Sequence, residues 1–143
     1  MHILQISVFL ENRKGRLAEM TKLLAENKIN IRAVSLADMT DLGVLRLIVN
    51  DPDRCLNVLK ENDFAAQGTD VMAVEVPDRP GALHNLLEVL NANGLNVEYM
   101  YASVGKKVDT AVVIFKVDPV DEAVAVLRRN GISVLSGDVA PIP

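Results

Sequence analysis

The sequence has no tryptophan, three phenylalanines and two tyrosines among its 143 residues. It cannot build an RNA-binding sheet of stacked aromatics from that inventory. Basic charge is also short: 15 Lys and Arg face 19 Asp and Glu, for a net charge of −4. No cationic field is available to hold a polyanion, so nucleic acid is not an expected partner. Cysteine is nearly absent. Cys55 stands alone, which excludes an intramolecular disulfide and the paired thiolates of a soft-metal carrier. His2, His84 and Cys55 lie too far apart for zinc-ligand spacing, so no metal site is expected. No apolar run approaches the roughly 20 residues of a membrane span. The opening Met1-His2-Ile3-Leu4-Gln5 lacks a basic stretch followed by an apolar one. A cytoplasmic chain without signal peptide is the expectation. Phosphate loop, nucleophile elbow and dinucleotide fingerprint are all missing, so no cofactor, no catalytic residue and no enzyme activity are assigned.

What the chain does have is an internal repeat. Shifted by 66 positions, Arg13, Gly15, Leu17, Leu24, Asn27 and Asn30 meet Arg79, Gly81, Leu83, Leu90, Asn93 and Asn96. Asn12 meets Asp78, and Ile31 meets Val97. After a one-residue slip, Asp51-Pro52 meets Asp118-Pro119, and Leu59–Asn62 meets Leu127–Asn130. Two domains follow, 1–69 and 70–143. Gln67-Gly68-Thr69-Asp70 is the only plausible seam, and it is short.

Both copies carry the same element pattern. Residues 3–10 are rich in β-formers, and 29–37 alternate through Ile29, Ile31, Ala33, Ser35 and Ala37. Residues 43–50 form a further apolar run, and a last strand starts from Phe64. Leu17, Met20, Leu23 and Leu24 set a helix over 15–27. Pro52 opens a second helix over 52–62, where its missing N–H costs nothing. Cys55 falls in that helix's apolar stripe and is expected to be a buried structural thiol. The second copy gives strands near 70–76, 95–104, 109–117 and 132–139, with helices near 81–93 and 119–130. The order is β-α-β-β-α-β twice. The fold class is therefore α+β: two ferredoxin-like units in tandem, helices on one face of antiparallel sheets that pair edge to edge.

The fold hosts many functions, so the residues must decide. The informative stretches are Asn12-Arg13-Lys14-Gly15-Arg16-Leu17 and Asp78-Arg79-Pro80-Gly81-Ala82-Leu83, each between the first strand and first helix of its copy. As helix entries they would use Asn12 and Asp78 as N-caps and Pro80 as an early helical residue. As binding loops they would offer unpaired N–H groups to a carboxylate and an Asn or Asp oxygen to an ammonium, the shared part of an α-amino acid. Asn30 and Asn96 fit either a turn into strand two or a ligand contact. Tyr99 and Tyr101 fit sheet cover or a pocket wall. His84 lies one turn into the second copy's helix.

The doubled unit, with N/D-R-x-G-x-L after strand one and Asn30-Ile31 or Asn96-Val97 at strand two, resembles a tandem ACT domain over nearly the whole chain. ACT domains are regulatory modules that bind amino acids at interfaces between paired copies. The resemblance implies a site lined by Asn12, Arg13, Lys14, Gly15, Arg16, Leu17, Asn30 and Ile31 in copy one. In copy two it implies Asp78, Arg79, Pro80, Gly81, Ala82, Leu83, Asn96 and Val97. Lys14 departs from the pattern, because Pro is usual there. That change would loosen the turn and add a cation. The charged Asp78 should favour an ammonium.

The resulting expectation is a non-catalytic amino-acid sensor or regulatory subunit, with ligand at the interface of the two repeats. Its partners would be a free amino acid, an enzyme of amino-acid metabolism and, as an open possibility, a second copy in a homodimer. The rivals are a structural interaction module without small ligand and, more weakly, a small enzyme. Arg13 and Arg16 only faintly imitate the phosphate loop that such an enzyme would need.

Overall fold

The structure is a computed structural model and describes residues 3–37, 40–103 and 108–136. It contains β1 (Ile3–Glu11), α1 (Arg16–Glu26), β2 (Ile31–Ala37), β3 (Leu42–Val49), α2 (Pro52–Glu61), β4 (Ala65–Pro77), α3 (Ala82–Ala92), β5 (Val97–Ala102), β6 (Thr110–Val117), α4 (Val120–Arg129) and β7 (Val134–Leu135). Leu4–Thr69 forms one compact unit, and the residues from Asp70 onward, with Ile3, form the other. The class is α+β, with the β-α-β-β-α-β order in each.

In the first unit β3 pairs antiparallel with both β1 and β2. β1 and β2 are thus parallel to one another, with β3 between them. Ile6, Val8 and Leu10 on β1 and Leu45, Leu47 and Val49 on β3 all point to one face. There they meet Met20 and Leu24 of α1 and Cys55, Val58 and Leu59 of α2 in a single core. This is the half-buried sheet that period-2 alternation demands, closed by two amphipathic helices. The second unit repeats it. β6 pairs antiparallel with β4 and β5, and β7 adds to β4. Met72, Val74, Val76, Phe115 and Val117 pack under Leu86 and Leu90 of α3 and Ala123, Val124 and Leu127 of α4.

All four helices stop in the same way. Asn27, Asn62, Asn93 and Asn130 stand at the C-caps. Their side-chain amides donate to the carbonyls of Leu23, Val58, Val89 and Val126 at 2.8–2.9 Å. The next residue is left-handed: Lys28, Asp63, Gly94 and Gly131. Ile29, Phe64, Leu95 and Ile132 then donate back to Leu24, Leu59, Leu90 and Leu127. This is a Schellman stop with its apolar residue in place. It turns each chain sharply into the strand that follows.

Three expectations need correction. The short last strand from Phe64 and the strand near 70–76 are one element, because β4 runs without interruption from Ala65 to Pro77. At Gly68, within this strand, a Cβ would lie 2.9 Å from Leu4 Cδ1, so glycine permits a close approach rather than a turn. Second, the regular alternation read over 29–37 is interrupted by a bulge between Ile31 and Ala33. Third, the last strand is Val134–Leu135, shorter than the 132–139 expected. Residues 137–139 of that stretch, and residue 104 of the expected 95–104 strand, lie outside the described residues.

Candidate functional site

The loops that join β1 to α1 and β4 to α3 are built alike, bond for bond. The Asn12 N–H donates to Asp41 O at 3.0 Å, and the Asp78 N–H donates to Asp109 O at 2.9 Å. Each holds the strand end against the hairpin of the neighbouring strands. Arg13 N–H then reaches back to Glu11 O, as Arg79 N–H does to Pro77 O. Next comes a four-residue turn, with Arg16 N–H to Arg13 O and Ala82 N–H to Arg79 O, both 3.3 Å. Gly15 sits at φ 86, ψ −11 and Gly81 at φ 86, ψ −12. These are the angles of the third residue in a type II turn, a left-handed position that only glycine occupies without strain.

This geometry overturns the expected capping. Asn12 and Asp78 are not N-caps; Gly15 and Gly81 are, and neither helix has a side-chain cap bond. The type II turn inserts two residues between the Asn or Asp and the N-cap glycine, which carries the side-chain oxygen out of reach. Pro80 is likewise not helical. It occupies the second turn position, where its fixed φ is ideal. Lys14 holds the same place without loosening the turn, since the two glycines have matching angles. By contrast α2 is capped by Asp51, whose carboxylate accepts from Arg54 N–H at 3.3 Å. The first turns of α1 and α3 therefore keep N–H groups without a side-chain partner.

A cleft of about 300 Å³ opens beside the first loop. It lies on the helix-bearing face of the sheet, between the start of α1 and β2. Leu10, Ala37 and Gly43 floor it, and Leu36 of β2 and Leu17 of α1 form its walls. Glu11, Asn12 and Arg13 make its polar rim. Asn12 Nδ2 donates to Thr40 O at 3.3 Å, which turns the amide and leaves Oδ1 as an acceptor. The Glu11 carboxyl is held below its usual range, first by its own backbone N–H and further by Arg16 and Arg13. In the second unit a cleft of about 250 Å³ lies on the other side of the loop, against α3, with Arg79, Ala82 and Asn85 next to Ile132.

Over residues 1–141 the chain matches the family described as the ACT domain pair. It belongs to that family. Among solved structures, protein BT0572 from Bacteroides thetaiotaomicron is 39% identical, with 96% of this chain and 94% of that one aligned at a TM-score of 0.90. The regulatory subunit of aspartate kinase from Thermus thermophilus shares the fold at 16% identity, 90% and 91% coverage and a TM-score of 0.65. Aspartate kinase from Synechocystis matches 89% of this chain with 24% of its own, at 18% identity and a TM-score of 0.62. Comparison with curated proteins finds no match.

Within each ACT unit the eight candidate residues separate into two groups. Asn12–Leu17 lie at the end of the sheet where Glu11 pairs with Leu42, whereas Ile31 pairs with Val49 at the other end of β3. At about 3.3 Å per residue the two ends are roughly 20 Å apart. Asp78–Leu83 and Asn96–Val97 are separated in the same way along β6, between Thr110 and Val117. One amino acid cannot touch both groups of one unit. Asn30 is instead tied by its backbone to Asn50, through Asn30 N–H to Oδ1 at 2.9 Å.

Inside the first loop, Arg16 is committed elsewhere. It lies 3.2 Å from Glu11 Oε2 and 3.1 Å from Glu19 Oε1, and stacks 4.1 Å over the Phe64 ring. Arg13 is shared between the same two glutamates at 3.5 and 3.7 Å. Lys14 is exposed and makes no ion pair among the described residues. In the second unit Asp78, Arg79 and Pro80 are exposed, Ala82 is buried and Leu83 half-buried. His84 is an exposed helix residue, and Tyr99 and Tyr101 are half-buried. The sequence reading missed Leu10, Glu11, Leu36, Ala37 and Gly43. Leu36 carried a signal: it is a large apolar residue in the polar phase of the alternation. Gly43, opening a strand, was another.

Among the described residues no group of His, Cys, Asp and Glu could hold a metal ion. No helix there is long and apolar enough to cross a membrane.

Proposed function

We propose that this ACT domain pair is a non-catalytic regulatory protein whose effector is a free α-amino acid, gripped at the strand-to-helix loops. The observation that carries the reading is the type II turn at Gly15. It leaves the N–H groups of the first turn of α1 without a side-chain cap, at a loop whose Asn12 and Leu17 both line the cleft. Helix N–H groups attract a carboxylate, and the Asn oxygen accepts from an ammonium. The same turn at Gly81, with Asp78 in place of Asn12, offers a second grip. Asn30-Ile31 and Asn96-Val97 enter as contributions from a paired copy, as ACT pairing implies. The regulated protein is an enzyme of amino-acid metabolism, since a free amino acid reports on that metabolism.

A thermal-shift screen against the common amino acids tests this. A ligand at a hundred times its dissociation constant stabilises the native state by about 2.7 kcal/mol, and a chain of this size then melts several degrees higher. At least one amino acid should do so, and Asn12→Ala should reduce the shift while leaving the unliganded melting point within about 1–2 °C. A flat screen at millimolar amino acid would favour a structural module without a small ligand.

A further inference from the structure

The cleft beside the first loop differs from the equivalent place in the second unit at four strand positions. Leu10, Glu11, Leu36 and Gly43 of the first correspond to Val76, Pro77, Ala102 and Ala111 of the second, by register along the paired strands. Gly43 keeps the floor open, because a Cβ there would lie 3.3 Å from Leu36 Cδ1. In the second unit Ala111 adds that methyl group and Ala102 removes the opposing wall. The first cleft thus combines an open floor at Gly43 with a large apolar side chain at Leu36.

Its walls are also left wet. Leu36 is 54% and Leu17 41% exposed, two of the few large apolar side chains so open to solvent. Both border the same cavity of about 300 Å³, which is at the small end of ligand pockets and matches a single amino acid. The charges nearby are already satisfied. Arg13 and Arg16 are paired with Glu11 and Glu19, which leaves, among the described loop residues, the exposed Lys14 to attract an acidic side chain.

We infer that the first unit's cleft selects a large apolar amino acid, aliphatic or aromatic. Leu17, Leu36 and the missing side chain of Gly43 set that selectivity. This inference rests on the amino-acid reading above and names the side-chain class. The polar rim at Asn12 holds the ammonium and carboxylate, so the side chain is directed onto Leu10 and Leu36. Each methylene it buries is worth about fourfold in affinity. Leucine, with three carbons more than alanine, should bind about sixty-fold tighter.

Titration calorimetry of the full chain with leucine, phenylalanine, alanine, aspartate and lysine tests this. Leucine or phenylalanine should bind at least tenfold tighter than the other three. Leu36→Ser, on an exposed strand position that the fold tolerates, should weaken the apolar ligand tenfold or more and leave alanine within about threefold. Gly43→Ala should weaken the bulky ligand selectively as well, and circular dichroism confirms that each variant is folded. Equal or tighter binding of alanine, aspartate or lysine overturns the selectivity and leaves the amino-acid reading standing. An apolar preference unmoved in folded Leu36→Ser places the selective pocket elsewhere and also overturns it. No binding by any amino acid removes the amino-acid reading and this inference together.

Discussion

Replacing Gly15 by alanine isolates the backbone demand of the binding loop. The residue sits at φ 86, and a Cβ placed on it would have no atom within 4 Å. The substitution therefore neither clashes with a neighbour nor gains a packing contact. What remains is the left-handed backbone, which costs an L-residue with a Cβ roughly 1–2 kcal/mol. Alanine's smaller freedom in the unfolded chain does not offset this, because the native conformation is unsuited to it. The expected loss is about 1–2 kcal/mol, seen in urea unfolding as a midpoint lowered by roughly half a molar or more at unchanged slope. Gly81→Ala has the same φ and the same open surroundings, so its loss should agree to within about 0.5 kcal/mol. Gly15→Asn should cost less than Gly15→Ala, since asparagine tolerates the left-handed region. A Gly15→Ala protein as stable as the parent would refute the type II assignment. So would a large difference between the two alanine variants.

Three further outcomes follow from the same geometry. Lys14→Pro should stabilise by about 0.4–1 kcal/mol in urea unfolding, because Lys14 already holds the turn position that Pro80 fills in the second unit. Lys28→Gly should raise stability by about 0.5–1 kcal/mol, since Lys28 is a non-glycine residue at φ 58 in a Schellman stop; a loss would contradict that geometry. Burial, followed by the charge of Asp51, pushes the Cys55 thiol up to about 11. The unfolded thiol ionises near 9, so the contribution is complete below pH 9 and lost as pH rises from 9 towards 11. It amounts to about 2–3 kcal/mol. Urea unfolding at pH 8 and pH 11 should show that extra loss in the parent and not in Cys55→Ala.

The repeat, the element order and the ACT resemblance were legible because identities recur at matching offsets and because apolar periods of 2 and 3.6 are strong signals. The asparagines behind that alignment, Asn27 and Asn93, also end helices by donating to Leu23 and Val89. The loop's conformation was less legible. Asn12 and Asp78 have cap chemistry, but the turn that separates them from their helices is set by the glycine three residues on. Strand direction was the other hidden variable. Asn12 and Asn30 are eighteen residues apart in sequence, yet parallel β1 and β2 put them at opposite ends of the sheet. The role of Gly68 was hidden for a related reason: a glycine signals freedom or closeness, and the partner that decides between them, Leu4, is remote in sequence.

Amide chemical shifts during titration with an amino acid test the central claim most directly. The account predicts that the largest changes fall on the N–H groups of Gly15, Arg16, Leu17 and Ala18 and on the side-chain amide of Asn12, saturating together with one affinity. Saturating changes that bypass this loop, with Gly15–Ala18 and the Asn12 amide unmoved, would contradict it.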